Sequence, residues 1–519
     1  MNPKIFSFIS LSLSCIFYST AKTSKPNIIM FLVDDMGWQD TSVPFNGNEV
    51  TELNLRYNTP NMERLAKLGV KFTQAYSCAI SSPTRCSLMS GMNASRHRVT
   101  NWTLELNQKT DQNSDIIELP EWNYNGIQPA NKKGIINNST AITSLPQILK
   151  DNGYRTIHCG KAHFGARTTP GADPSNMGFD VNIAGGPNGA PGSYLGTKNF
   201  GEGSRFAVKG LEKYHGKDIF LTEALTIEAI KEMKKAVEED LPFYLYMSHY
   251  AVHTPIEDDK RFSDNYRGKY DRLLKTELGE KEAKYAALVE GMDKSLGDIM
   301  DYIQSDPKLA QNTIILFMSD NGGQALGYCR EGTPNRDPNY PARAGKGSAF
   351  MGGVREPMIV YWPNITKPNS SCSEKIIIED FFPTIIEMAG IKKYKTIQKI
   401  DGKSFVRCLK NVDDISADKS IVWHFPNLWG ENQDIEEGYG AYSSILKGDY
   451  HLIYHWQNGK IRLYNIMDDI SEQNDLASEK PEIVKQLCIE LSDYLREREA
   501  QRPKLKANGK SLPFPDEVY

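Results

Sequence analysis

The sequence predicts an α/β fold: a large, mostly parallel sheet sandwiched by helices, followed by a smaller C-terminal α+β domain with an antiparallel sheet. Three observations predict it. Residues 27–33 (NIIMFLV), 242–248 (PFYLYMS) and 313–319 (TIILFMS) are unbroken apolar runs, as expected of strands covered on both faces. Between the last two, Tyr285, Leu288, Val289, Met292, Leu296, Ile299, Met300 and Ile303 recur at helical spacing. Beyond about residue 401 the pattern changes to short, turn-separated segments. Strand and helix in alternation imply parallel pairing, because parallel strands need a crossover.

Taken in order, the first element precedes the fold. Lys4 and the apolar stretch 5–18, ending in Ser19-Thr20-Ala21, read as a secretory signal peptide over residues 1–21. The stretch is too short to span a bilayer comfortably, and no later run is long enough. A lipoprotein anchor at Cys15 is a weaker reading, because Ser12 stands where an aliphatic residue is usual. The mature chain is therefore expected to be periplasmic or secreted, with no transmembrane segment. Residues 22–417 form the large domain. Within it 27–33 is a strand, 60–68 a helix, 185–203 a long Gly/Pro/Asn/Ser loop, 359–362 a strand and 380–389 a helix. Residues 418–519 form the second domain. Its segments 420–424, 442–446, 450–456 and 462–465 are expected to pair antiparallel, and 481–499 to form a charged amphipathic helix.

Composition excludes some classes. The net charge is -4, and no basic stripe suggests nucleic acid. Eight cysteines lack any CxxC spacing, which argues against a zinc cluster. Removal of the leader leaves seven, an odd number, so at least one would lie outside any intramolecular disulfide; connectivity is not legible.

Two strand ends carry the first chemical signal. The run 27–33 stops at Asp34-Asp35, and 313–319 stops at Asp320-Asn321. Ligands of open α/β sheets bind beyond the carboxyl ends of strands. Side by side, these ends would gather three carboxylates and an amide, which repel unless a cation sits among them. Such oxygen donors suit Ca²⁺ or Mg²⁺. Either pair alone is equally explained as a turn or helix cap. The segment 81–91 places Pro83 in a first helical turn and Gly91 at its end, with Ser81 just before the start, where an anion is favoured. By itself, Ser81 also reads as an ordinary N-cap.

Ser81-x-Pro83-x-Arg85 with Leu88-x-Ser90-Gly91 resembles the signature of the formylglycine-dependent (type I) sulfatases, in its serine form. Other segments resemble that family in the same order. They are Asp34-Asp35, Gly160-Lys161-Ala162-His163-Phe164-Gly165, His253-Thr254-Pro255, Asp320-Asn321-Gly322-Gly323, Gly345-Lys346-Gly347 with 352–357, Asp380 to Thr384, and Leu463-Tyr464-Asn465. Ala162 and Met351 depart from the usual tryptophan and glutamate, at positions that supply no catalytic group. The resemblance spans about residues 26–477 and implies an alkaline-phosphatase/sulfatase-like fold.

It implies the following roles. Ser81 is the precursor of formylglycine, made by a serine-type radical-SAM sulfatase-maturing enzyme. Asp34, Asp35, Ser81, Asp320 and Asn321 hold one Ca²⁺, with Mg²⁺ second. Asp320 is the base for the attacking hydroxyl, and Arg85 steadies the diol. Lys161 and Lys346 bind sulfate. His253 protonates the leaving oxygen, and His163 drives sulfate release. The lysines also read as solvated and the histidines as core residues when each is taken alone. The implied substrate is a sulfated oligo- or polysaccharide, of algal ulvan or carrageenan type first, with host glycosaminoglycan as rival. Trp102, Trp122, Tyr124 and Trp429 are candidates for stacking on sugar faces. The alternatives are a phosphonate or phosphodiester hydrolase of the same superfamily and a non-catalytic binder of sulfated glycans.

Overall fold

The computed structural model describes residues 25–130, 134–324 and 338–519. The leader, with Cys15, and Cys329 lie outside these residues. Nine strands form the main sheet. In chain order they are β1 (Asn27–Val33), β2 (Val70–Tyr76), β3 (Arg155–Gly160), β4 (Val181–Ile183), β5 (Phe243–Ser248), β6 (Thr313–Ser319), β7 (Arg355–Tyr361), β8 (Ser370–Cys372) and β9 (Ile376–Ile377). The spatial order is β8-β2-β7-β6-β1-β5-β3-β4, with β9 also on β2. β6, β1, β5, β3 and β4 are parallel, and β7 joins β6 and β2 antiparallel. The sheet is therefore mixed but mostly parallel, as predicted.

β1 is central, and all seven of its residues are buried. A strand with neighbours on both edges and helices on both faces has no polar side to present, which explains the unbroken NIIMFLV run. The helix α4 (Glu280–Gln304) buries all eight of the residues whose spacing predicted it. Asp293 on that helix accepts from the backbone N–H groups of Asn61 (3.0 Å) and Met62 (2.7 Å) at the start of α1 (Pro60–Leu68). A carboxylate there satisfies N–H groups that the helix itself leaves open. The other long helices are α2 (Ser81–Ser90), α3 (Leu221–Glu238) and α5 (Phe381–Met388). β2, β3 and α3 gave no apolar run or clean period, because Lys71, Gln74, Thr156, His158 and Glu232 are polar yet buried.

The second sheet pairs β10 (Ser420–Phe425), β11 (Tyr442–Lys447), β12 (Tyr450–His455) and β13 (Ile461–Asn465) in sequence order, antiparallel throughout. Its alternate residues face two cores. Ile421, Trp423, Phe425, Leu446, Ile453 and Tyr464 join the main core. Val422, Ile445, Leu452, Tyr454 and Leu463 pack with Val484, Leu487, Leu491 and Leu495 of α6 (Pro481–Glu497). The period of two thus sorts side chains between the large domain and α6. The six described cysteines, Cys78, Cys86, Cys159, Cys372, Cys408 and Cys488, are buried free thiols. Among the described residues no helix is long and apolar enough to cross a membrane.

Candidate active site

The site lies at the carboxyl edge of the parallel strands. β1 and β6 are hydrogen-bonded neighbours in parallel register, Val33 opposite Ser319. Their next residues, Asp34, Asp35, Asp320 and Asn321, therefore emerge together. β3 ends at Gly160, directly before Lys161, and β5 ends five residues before His253. The N-terminus of α2 points Ser81 at the same place. That helix begins at Ser81 itself, one residue earlier than its sequence suggested, and Ile80 is the cap residue. Ser81 makes no capping bond. Its hydroxyl instead contacts Asp34 Oδ1 (3.2 Å), Asn321 Oδ1 (3.1 Å) and Lys161 Nζ (3.0 Å). At the far end of α2, Gly91 takes a φ of 68° and closes the helix.

Three carboxylates meet three cations. Lys161 Nζ donates to both oxygens of Asp34 (2.7 and 2.8 Å). Lys346 Nζ donates to both oxygens of Asp35 (2.7 and 2.9 Å). Arg85 grips Asp320 through Nε (2.9 Å) and a terminal nitrogen (2.7 Å), and its other terminal nitrogen bonds Ser248 Oγ and Lys161 O. Asn321 Nδ2 donates to Asp35 Oδ1 (2.7 Å), which leaves its Oδ1 turned toward Ser81. Neither lysine is a solvated surface group: Lys161 is 0% exposed and Lys346 7%.

The electrostatics follow from burial and pairing. Burial pushes Asp34 up to about 8, opposed by Lys161 and reinforced by Asp320 and Asp35. Burial also pushes Lys161 down to about 8, against the pull of Asp34. Burial would raise Asp35 as well, but Lys346 and His253 outweigh it and hold the group low. Arg85 and Lys161 do the same for Asp320. For Lys346, burial is outweighed by Asp35, and its charge is strengthened.

The two histidines have defined tautomers. His163 Nε2 lies 2.8 Å from the Thr103 carbonyl and must donate to it. Its buried Nδ1 has no partner and carries the lone pair. Burial, then Lys161, keeps this ring well below the usual range and neutral. His253 Nδ1 lies 2.9 Å from the Thr254 carbonyl, so Nε2 faces Asp35 at 3.6 Å. Burial lowers His253 to about 4, against Asp35. Asp35 and His163 both hold a left-handed backbone, with φ of 60° and 57°. Such strain costs roughly 1–3 kcal/mol per residue and gathers at functional sites.

Oxygens of Asp34, Asp35 and Asp320 lie within 4.8 Å of one another. With Asn321 Oδ1 and the Ser81 oxygen they form an all-oxygen donor set, which fits a hard divalent cation. Ser81, His163, His253 and Lys346 open into a cavity of about 800 Å³. Trp102, Phe206, Pro191, Ile256 and Trp429 form its apolar walls. Lys346 Nζ lies 5.6 Å from the centre of the Trp429 ring.

All ten predicted site residues are thus brought together. Two of the aromatic candidates are not. Trp122 is 1% exposed, and its Nε1 donates to Asp111. Tyr124 packs edge-on against Trp122 and bonds Asn138. Their apolar bulk is spent on the core. Thr103, Gly189, Phe206 and Lys281 reach the site without any spacing in the sequence to reveal them.

Comparison with known proteins gives concordant results. The sulfatase family profile matches residues 26–391. A second profile, the C-terminal part of N-sulphoglucosamine sulphohydrolase, matches residues 346–501. A sulfatase of Formosa agariphila is 28% identical, covering 91% of this chain and 88% of its own. The N-acetylgalactosamine-6-sulfatase of Mus musculus is 30% identical over 71% of this chain and 63% of its own. The crystal structure of Ps i-CgsB in complex with k-i-k-neocarrahexaose superposes with a TM-score of 0.67 at 25% identity, covering 91% of this chain and 93% of the other. On this breadth of agreement the chain belongs to the sulfatase family of the alkaline-phosphatase superfamily and is a sulfuric ester hydrolase.

Proposed function

We propose that the protein is exported and removes sulfate from a sulfated carbohydrate, with residue 81 converted from serine to formylglycine by a serine-type radical-SAM maturing enzyme. The observation that carries this reading is the Ser81 hydroxyl, held between Lys161, Asp34 and Asn321 at 3.0–3.2 Å instead of capping its helix. The cavity beyond it suits a sugar: apolar and aromatic walls with few, convergent polar groups. Ps i-CgsB, which binds a carrageenan hexasaccharide, favours an algal galactan of carrageenan type ahead of ulvan. Asp34, Asp35, Asp320, Asn321 and residue 81 would hold Ca²⁺, or less readily Mg²⁺. Bound there, the cation would favour an ionised hydroxyl and draw the sulfuryl oxygens.

The chain's own groups then divide the work. Hydrated formylglycine has two hydroxyls on one carbon. Asp34 is the carboxylate in contact with the residue 81 oxygen and would take the first proton in place of Asp320. The freed oxygen attacks sulfur, and the bond from sulfur to the sugar oxygen breaks. Lys161 and Lys346 meet the charge on the sulfuryl oxygens. His253 Nε2, which carries only a lone pair in the neutral ring because Nδ1 donates to the Thr254 carbonyl, first takes up a proton from water beside Asp35 and then delivers it to the departing sugar oxygen. His163, whose Nδ1 lone pair is free, takes the proton of the second hydroxyl; the carbon–oxygen bond to sulfate breaks and the aldehyde returns. Plain serine lacks that second hydroxyl and would stop at its sulfate ester.

The test is sulfate release from defined sulfated oligosaccharides by protein co-produced with a serine-type maturing enzyme, beside Ser81→Ala and with phosphate esters of the same sugars as controls. Release by the wild type alone, together with the mass change of formylglycine at residue 81, is the expected result. Equal release by Ser81→Ala, or faster phosphate than sulfate release, would overturn it. Chelation is expected to abolish activity, and Ca²⁺ to restore it more fully than Mg²⁺.

A further inference from the structure

We propose that Lys281 recognises a second anionic group on the substrate, distinct from the sulfate that is cleaved. Lys281 lines the same cavity as Ser81 and is exposed to it from the first turn of α4. Among the described residues, the other lysines and arginines at or near this cavity are paired with a carboxylate. Lys346 is bound to Asp35 and Lys161 to Asp34. Arg167 and Arg205 share Glu105, each at 3.2 Å. Among the described residues Lys281 has no ion pair or side-chain hydrogen bond, and no aspartate or glutamate lines the cavity. Its helical neighbour Glu280 is turned to Arg267 at 2.8 Å. Among the described residues of this cavity, one ammonium is thus left without a carboxylate, beside apolar walls that weaken solvent screening. The cavity is near the upper end of the usual range for ligand pockets, roughly 300–1,000 Å³, which leaves room beyond one sugar ring. The positive end of α4 adds to the attraction for an anion.

The assignment rests on the sulfated-carbohydrate reading above, and names its substrate class: an oligosaccharide with at least two anionic groups, the second a sulfate or a carboxylate. The experiment uses the formylglycine-bearing enzyme, Lys281→Gln and Lys281→Arg. The substrates are an aryl sulfate, a singly sulfated disaccharide, and the same disaccharide with either a second sulfate or a carboxylate on the neighbouring ring. Lys281→Gln is expected to lose roughly three- to tenfold in kcat/KM on a doubly charged disaccharide. The loss should lie in KM with kcat kept, and should vanish on the singly sulfated disaccharide and the aryl sulfate. Lys281→Arg should retain most of the wild-type value. The arm with the larger loss identifies sulfate or carboxylate as the second group. An equal effect on all four substrates, or none on any, overturns the role of Lys281 alone. Turnover of the aryl sulfate with none of the disaccharides overturns the carbohydrate reading, and this assignment with it.

Discussion

A methyl group added at position 189 would sit 2.6 Å from Cε1 of His163. Real carbon atoms do not approach so closely, so the imidazole must move. Its Nε2 is tied to Thr103 and its backbone is already left-handed, which leaves no compensating freedom. Gly189→Ala is therefore expected to lower kcat about 10- to 100-fold, the usual result of a misplacement near 1 Å. Unfolding in urea should change by less than about 2 kcal/mol. A similar limit applies at Gly347, where φ is 88° and an added Cβ would lie 2.4 Å from the Trp429 ring. Gly347→Ala should displace Trp429 from Lys346 and raise KM for oligosaccharides more than for an aryl sulfate.

Between β6 and β7, the described residues 338–354 that carry Lys346 hold turns and one short helix (Met351–Val354), and the second sheet and its loops brace them. Glu472 Oε2 accepts from Met351 N (2.7 Å), and its Oε1 lies 2.6 Å from His451 Nδ1. Arg343 reaches the Glu436 and Glu472 carbonyls and the Glu437 carboxylate. Tyr442 and Ser348 add two further bonds. Glu472 and His451 at the centre of the clamp are fully buried, so removing Glu472 leaves orphaned polar groups. Glu472→Ala is expected to cost about 2–4 kcal/mol in urea unfolding. It should also weaken sulfate binding through Lys346, read as a rise in KM that exceeds the fall in kcat. Loss of stability with unchanged KM would show that the clamp supports the fold and not the lysine.

Over the whole molecule, buried imidazoles set the response to acid. Burial lowers His97, His158, His249, His424 and His455 each to about 3. Unfolded, these rings gain protons below about 6.5; folded, they do not until about 3. The stability they contribute is present above pH 6.5 and is lost as pH falls from 6.5 toward 3, by about 1.4 kcal/mol per pH unit for each ring. Burial raises Asp293 to about 6 and Glu379 to about 8, and these two work in the opposite sense, losing stability as pH rises. Asp34, Asp111 and Glu356 are raised in the same way, while His163 and His253 are lowered like the other five rings, so seven imidazoles outweigh five carboxyls. The melting temperature of chelated protein is expected to fall steadily from pH 6.5 to pH 4.5, by calorimetry; a flat or rising profile would contradict it.

Much of this was legible in the chain, for reasons that are local. A strand covered on both faces must be apolar throughout, so NIIMFLV and TIILFMS announced themselves, and the acids that ended them marked the sheet's carboxyl edge. The spacing of Ser81, Pro83 and Arg85 follows one helical turn, which a sequence displays directly. Tertiary structure decided what no spacing encodes. It placed β1 beside β6, bringing residues about 285 positions apart into contact. It selected Trp102 and Trp429 for the cavity while burying Trp122, although indole rings look alike in a sequence. It brought Thr103 to His163 and turned Asp34, not Asp320, to the Ser81 hydroxyl. Among the described residues, it left Lys281 without a carboxylate in a segment dense with charge. Periodicity and motif are properties of neighbouring residues; pairing, burial and neutralisation depend on which distant side chain arrives, and only the folded chain determines that.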